Sequence, residues 1–526
     1  MSFSKPLAPT LGLVALGLGA LGVYFAAEIR GIGELAFPLD DSWIHLQFAS
    51  SLAAGQGLAY NPGEWVAGST SPLWSALLSL GFLFAAPLFW PKILGAVCLL
   101  LSVLATAALG RAMGLGAGLS CLAAATVATS HWLLWSALSG MEIMLFTALA
   151  AWGLVFHLRE EQSRCAGLPA PATLSIPVFA LACLARPEGL LLLTLAVIHR
   201  FLRARGSAET GALVLGIRRR SGIPVIAALL AVAPAMLFYF WLEGSPAPTT
   251  LSAKVRPDLL PSGAYLRLVF DIFWRSQPVL VLLAGAGLVE AWRSRRPGIG
   301  LPALWFLGLP LAYSLLASPS RPMPLGNFGR YFLPMLPLLI LFGLLGLRPL
   351  LSRIRGGVIL EGRSFRLPLS ALLLAGVLAP HFILTHRGPG RYVQTLANVQ
   401  DSDVAAARWL APRLPEDALI AVQDVGALKF LLPNRVVDLA GLVTPEVQAV
   451  LAANPDGVYW EERLARFLAE ERVDYLVVFT DSYPALTRAQ GFDRVASFAV
   501  PRNVTMAGDE LVVLSTPWND RPLIGQ

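Results

Sequence analysis

Residues 40–74 read DDSWIHLQFASSLAAGQGLAYNPGEWVAGSTSPLW. Two adjacent aspartates, a histidine and a polar, glycine-bearing loop stand here between apolar runs at 8–27 and 72–90, of the kind that crosses a hydrocarbon core of about 30 Å. Similar runs recur near 93–110, 113–130, 141–157, 172–186, 187–203, 223–242, 277–292, 299–318, 330–347 and 367–384. Composition agrees with this pattern. Of 526 residues 56% are hydrophobic and 14% charged, with a mean hydropathy of +0.64, whereas a soluble domain carries about 25% charged residues. The chain is therefore expected to be a polytopic α-helical membrane protein. A soluble enzyme, a disordered scaffold and a disulfide-built secreted domain are excluded. The four cysteines form no CxxC pair and no disulfide framework.

Charge divides the chain in two. Residues 1–384 hold 27 basic and 15 acidic side chains, and residues 385–526 hold 13 and 18. The first part reads as a multi-pass membrane domain and the second as a soluble domain. The loops at 157–165, 200–220, 293–297 and 348–366 carry 16 of the 27 basic residues, which makes them cytoplasmic by the positive-inside rule. The first loop (28–71), the Arg186-Pro-Glu188 corner, the segments 248–256 and 320–330, and the tail then lie outside. An inside start and an outside end need an odd number of crossings, so 11 or 13 spans are expected. One segment between 72 and 140 is then re-entrant, interfacial or split into two short helices. Lys5 alone makes a weak positive flank, so the first run reads as a retained anchor rather than a signal peptide.

The tail alternates strand-like stretches, Ala418 to Val422, Arg435 to Leu439, Tyr475 to Phe479 and Leu511 to Ser515, with helical patterns at 402–412, 444–453 and 459–470. A small extracytoplasmic α/β domain is expected.

A helix starting near Asp40 would align Ile44, Phe48 and Leu52 in one apolar stripe, as an interfacial helix lying on the membrane requires. Asp41 and His45 fall beside that stripe. A carboxylate there is partly desolvated, which raises its pKa toward values useful to a general base. The plainer reading is that Asp40 or Asp41 caps the helix.

The same stretch resembles the glycosyltransferase C (GT-C) superfamily, in particular bacterial multi-pass proteins similar to the cell-wall arabinofuranosyltransferases. Further family-like pieces are SALSGMEIMLF at 136–146, LARPEGLLL at 184–192, PAPTTLSAK at 246–254, GRYFLPMLPLL at 329–339 and QDVGALKFLLPNRVVDLAGLV at 423–443. The resemblance implies a bacterial inner-membrane enzyme with a polyprenyl-phosphate-linked sugar donor, transfer on the external face to a glycan or glycolipid acceptor, and a soluble domain beside the active site. Such a transfer needs a base for the acceptor hydroxyl and cations for the departing phosphate. Asp41, with Asp40 as its rival, is the expected base, and inversion follows from a single apparent base. Lys254, Arg330 and Arg186 are the expected phosphate-binding cations, against the plainer readings of headgroup snorkelling and, for Arg186, a local pair with Glu188. His45, Glu142, Tyr60 and Trp74 are the expected acceptor and sugar contacts. Asp424 and Asp438 of the tail either touch glycan or close turns. The six histidines show no metal-binding spacing, and a divalent cation at Asp40 and Asp41 is an option taken from some GT-C relatives. Nothing indicates nucleic-acid binding, and no Walker loop is present. The alternative class is a transporter or flippase of a lipid-linked saccharide, which would keep ionisable groups midway along its helices or show paired broken helices.

Overall fold

The computed structural model describes residues 7–168, 173–204, 222–244, 263–316, 329–355, 366–452 and 460–524. Lys254, with all of 248–256, and residues 320–328 lie outside the described residues. From the N-terminus come α1 (Leu7–Ile32), α2 (Asp41–Ala53), the hairpin β1 (Ala59–Asn61) and β2 (Glu64–Trp65), α3 (Pro72–Leu83), α4 (Trp90–Met113), α5 (Ala117–Ala128), α6 (His131–Leu138), α7 (Ile143–Cys165), α8 (Ser175–Ala185) and α9 (Glu188–Ala204). Helices Gly222–Glu243, Gly263–Ser276, Pro278–Ser294, Gly300–Leu316, Leu336–Arg355 and Arg366–Val399 follow.

Among the described residues four helical stretches, α1, α4, α7 and Leu333–Leu351, are long and apolar enough to cross a membrane. Two bent pairs raise the number to six if each counts as one span: α5 with α6, bent by 51°, and Leu266–Arg275 with Pro278–Ser294, bent by 117°. The protein is thus a multi-pass membrane protein. The run expected at 72–90 contributes only the 12 residues of α3, about 18 Å of helix, too short to cross. Helix Gly263–Ser276 falls where the sequence showed no apolar run, because Arg267, Asp271 and Arg275, spaced four apart on one polar face, break up its apolar residues in sequence. Close packing in this part uses small residues, as membrane helices do. A Cβ at Gly287 would overlap the carbonyl oxygen of Phe342, and one at Gly346 the carbonyl of Leu283. Helices Pro278–Ser294 and Leu336–Arg355 therefore meet backbone to backbone.

The long helix Arg366–Val399 runs unbroken through residue 385 and passes through a π-helical turn at Gln400–Val404 into Ala405–Leu410. Beyond it lies a five-stranded sheet of β3 (Ile420–Val422), β4 (Val436–Asp438), β5 (Tyr475–Phe479), β6 (Asp493–Ala499) and β7 (Glu510–Ser515), in the order β4-β3-β5-β7-β6. β3 pairs parallel with β4 and β5, and β7 pairs antiparallel with β5 and β6. All four strands expected from sequence are present. β6 is additional: at the sheet edge it buries little side chain, so it lacks the apolar alternation that marks a strand.

One expectation fails. Helix α2 does not float at the interface on a single apolar stripe. Ile44 and Phe48, with Tyr60 and Val66, enter the core beneath the tail sheet beside Val425 and Leu428. On the other side Trp43, Leu46 and Ala49 pack with Trp74 and Leu78 of α3. Burial on both sides clamps the helix between α3 and the tail, and its apolar residues serve two protein contacts rather than lipid.

Candidate active site

Four connections converge at one end of the helix bundle: the 36–42 loop into α2, the turn between α6 and α7, the corner between α8 and α9, and the start of Leu333–Leu351. Each brings a charged side chain. Asp41 Oδ2 accepts a charged hydrogen bond from Arg330 Nη2. Glu142 Oε1 does the same for Arg186 Nη1, and Glu142 Oε2 lies 3.0 Å from His45 Nε2. Arg186 also donates to Glu188 at 2.7 Å, and Glu188 accepts the Tyr313 hydroxyl at 2.5 Å. The Tyr331 ring lies between the two guanidiniums, 5.0 Å from the Arg186 carbon and 5.3 Å from that of Arg330. Side chains as far as 289 positions apart in sequence, Asp41 and Arg330, thus join one polar cluster. Arg186, Glu142, Arg330 and His45 are all buried, while Asp41 keeps 34% of its side chain exposed.

Electrostatics keep Glu142 and Arg330 ionised. Burial pushes the Glu142 carboxyl up, but Arg186 and His45 outweigh it and hold the group at about 2. Burial works against the Arg330 charge, and Asp41 more than offsets it, so Arg330 stays protonated. Three carboxylates, Asp41, Glu142 and Glu188, face two guanidiniums among the described residues.

Asp40 turns the other way. Its Oδ2 accepts the amide of Gly426 at 2.6 Å and its Oδ1 that of Ala427 at 2.7 Å, at the start of the tail helix Val425–Leu431. Two amides at a helix N-terminus are a natural carboxylate partner. A Cβ at Gly426 would overlap the Asp40 carbonyl oxygen, so glycine is what allows the approach. The loop grips the tail elsewhere too. Tyr60 donates its hydroxyl to the Val425 carbonyl at 3.0 Å. Asn61 both donates to and accepts from the backbone of Val436 at 3.0 Å, as a neighbouring strand would. Burial and the nearby Asp41 and Asp438 raise the Asp40 pKa to about 7, against the pull of its two amides.

His45 reaches Glu142 rather than Asp41. Tyr60 and Trp74 are not open for sugar stacking: they are 1% and 0% exposed, and Trp74 Nε1 donates to the Gly140 carbonyl at 2.9 Å. Asp438 closes a turn, its carboxylate accepting the amides of Ala440, Leu442 and Val443. Tyr313 and Tyr331 were missed, although Tyr331 directly follows Arg330 in GRYFLP. Asp403, on the π-helical turn, was also missed. It is fully buried, neither carboxyl oxygen has a hydrogen-bond partner among the described residues, and burial with Asp424 and Asp40 nearby raises its pKa well above the usual range.

ArnT from Cupriavidus metallidurans, solved with undecaprenyl phosphate, superposes with a TM-score of 0.54 over 96% of this chain and 98% of that one, at 16% identity. The oligosaccharyltransferase AglB from Archaeoglobus fulgidus, in complex with an inhibitory peptide and a dolichol-phosphate, gives 0.55 over 93% and 74%, at 13% identity. The fold is GT-C. Arabinofuranosyltransferase AftD from Mycobacteria adds a TM-score of 0.50 at 18% identity over 97% of this chain, which spans 42% of the AftD chain. Residues 392–514 match a domain of unknown function, DUF8728, and no curated protein matches in sequence. The archaeal enzyme has also been solved with Zn and sulfate. In this chain both Asp40 oxygens accept backbone amides and Asp41 is paired with Arg330. No group of three His, Cys, Asp or Glu gathers to hold an ion among the described residues.

Proposed function

We propose that this GT-C protein is a glycosyltransferase that moves a sugar from a polyprenyl phosphate to a hydroxyl of an extracytoplasmic glycan or glycolipid, with inversion. The observation that carries the reading is the Asp41–Arg330 pair. It sets a partly exposed carboxylate against a cation at the end of the bundle where this reading seats the donor phosphate. Asp41 takes the proton of the acceptor hydroxyl, the acceptor oxygen bonds to the anomeric carbon, and the bond from that carbon to the phosphate oxygen breaks. The departing phosphate carries its charge to Arg330, with Lys254 as a second cation.

Charge balance orders these events. With three carboxylates facing two guanidiniums, the described cluster offers an anion no surplus positive charge unless a guanidinium exchanges its partner. The phosphate therefore replaces Asp41 on Arg330, and the exchange frees Asp41 to act as base only when the donor is present. Arg186 is committed to Glu142 and Glu188, so its role is to hold Glu142 and, through it, His45 at the acceptor side. Asp40 anchors the tail, which leaves Asp41 as the reacting member of the acidic pair.

The topology that supports this reading has 11 crossings, with α3 lying at the interface rather than spanning. The tail and the charged cluster then share the external side of a bacterial inner membrane. The test is to incubate purified protein with a panel of polyprenyl phosphate sugars and a glycan acceptor, alongside Arg330→Met and Asp41→Asn. The expected result is turnover with one donor class, lost by about 10²-fold or more in both variants. Undiminished turnover in both overturns the assignment of the site. Saccharide movement across liposomes without transfer establishes the transporter reading instead.

A further inference from the structure

A further buried ion pair takes no part in the mechanism above. Glu28 of α1 and Lys92 of α4 are 0% and 2% exposed and 2.9 Å apart. The Lys92 ammonium also donates to the carbonyls of Ala36 at 2.8 Å and Leu138 at 3.0 Å. Glu28 accepts the Ala36 amide at 2.9 Å and the Tyr392 hydroxyl at 2.8 Å. The Phe37 ring stands 4.9 Å from the ammonium. Every polar atom of the pair therefore has a protein partner, drawn from α1, α4, helix Arg366–Val399, the segment between α1 and α2, and the C-terminal end of α6 that leads into the turn before α7.

Those two segments are the informative part. Ala36 stands four residues before Asp40, and Leu138 four residues before Glu142. Beyond the ammonium the segments stay joined. Ser42 Oγ donates to the Ser139 carbonyl at 2.7 Å, and a Cβ at Gly140 would come within 2.7 Å of the Phe37 ring. The ammonium thus sits at the fork from which one strand of chain leads to Asp41 and the other to Glu142. Stability is a weak reason for such a pair, since well-packed apolar residues usually replace a buried ion pair at no loss. Ionisable groups enclosed among membrane helices are costly, and function is the default reason for their presence. An apolar side chain could fill the volume. It could not hold two carbonyl oxygens at fixed distances from one point.

We propose that Lys92, held by Glu28, is a positioning residue that sets the spacing between the Asp41 and Glu142 segments. This rests on the assignment of Asp41 as the base. Displacements of about 1 Å in a reacting constellation cost on the order of 10²-fold in rate, so loss of the fork acts on the chemical step. Glu28→Leu/Lys92→Met removes both charges together and avoids leaving one unpaired.

The experiment measures kcat and KM of the double variant with the lipid-linked sugar that turns over in the panel, beside wild type and Asp41→Asn. Thermal unfolding and amide hydrogen exchange are followed in all three. The expected result is a folded protein whose kcat falls about 10- to 100-fold at nearly unchanged KM, with faster exchange confined to residues 36–45 and 138–146. Unchanged kcat with unchanged local exchange overturns the proposal, as does a fall in kcat that follows only the loss of folded protein. Should the double variant not fold, Ser42→Ala cuts one tie between the segments without touching a charge. It is expected to lower kcat about 3- to 10-fold at constant KM and to loosen the same amides, and no change in either overturns the proposal. Turnover retained in Asp41→Asn would instead refute the base assignment, and the exchange pattern would still report on the fork.

Discussion

Two groups of carboxylates meet around Asp40 and Asp41, and they are treated in opposite ways. Toward the bundle, Asp41, Glu142 and Glu188 are each set against a guanidinium, and Glu142 is held at about 2. Toward the tail, Asp40, Asp438, Asp424 and Asp403 have backbone amides or one another. Burial raises Asp40 to about 7 and Asp438 to about 6, and takes Asp424 and Asp403 well above the carboxylate range. Adjacent residues in the sequence thus belong to two electrostatic environments. On the bundle side each carboxylate is paired with a guanidinium. The tail side is built to be neutral or amide-bound while two bodies of the protein stay together.

The sharpest way to break this contrast is to remove a cation from the bundle side. Arg186→Met leaves Glu142 and Glu188 buried without their partner, and breaking a buried pair costs about 3–5 kcal/mol. Thermal unfolding in detergent is expected to shift down accordingly, with turnover lost. Next in size is Gly426→Ala, where the added methyl meets the Asp40 backbone. A cost of about 1–3 kcal/mol is expected for overpacking, read as faster hydrogen exchange in 425–431 with the core of the bundle unchanged.

Protonation separates the two sides further. The Asp40 carboxyl titrates at about 7 in the folded protein against an ordinary 3.8. Its contribution to folding stability is therefore complete below about 3.8 and is lost as pH rises through about 7, because the cost of burying the charge outweighs the gain from its two amides. Glu142 has the opposite sign: its contribution is complete above 4.5 and lost as pH falls through about 2. Exchange protection of 425–431 is expected to weaken between pH 5 and pH 8, and Asp40→Asn to flatten that dependence. The smallest effect belongs to Arg408→Ala, which removes the exposed pair with Glu34, 57% and 42% accessible. Less than about 1 kcal/mol is expected, within a degree or two in a melting scan.

The sequence told most where charge stood out against an apolar background. Asp41, Arg330, Glu142 and Arg186 were each legible because few charged residues occur near helix ends, and the structure joins them in two pairs. Their partners were less legible for a physical reason. A tyrosine such as Tyr313 or Tyr331 looks like any interfacial aromatic until its hydroxyl or ring is seen against a charge. Glu28 and Lys92 sit at the margins of apolar runs, where single charges normally snorkel to the headgroups. Only the fold brings them together, 64 residues apart. The division of labour between Asp40 and Asp41 was also beyond the sequence, because it depends on the tail helix docking from residue 425 onward. The same docking explains why the apolar stripe of α2 was assigned to lipid: Ile44 and Phe48 are hydrophobic for the sake of the tail.

The central claim is that Asp41 reacts and Asp40 anchors. Turnover and exchange protection of residues 425–431, measured side by side in Asp41→Asn and Asp40→Asn at neutral pH, test it most directly. The account predicts that Asp41→Asn loses about 10²-fold or more of turnover with the tail helix as protected as in wild type. It predicts that Asp40→Asn keeps turnover within about tenfold of wild type while protection of the tail helix changes. Turnover abolished in Asp40→Asn with Asp41→Asn still active would contradict it.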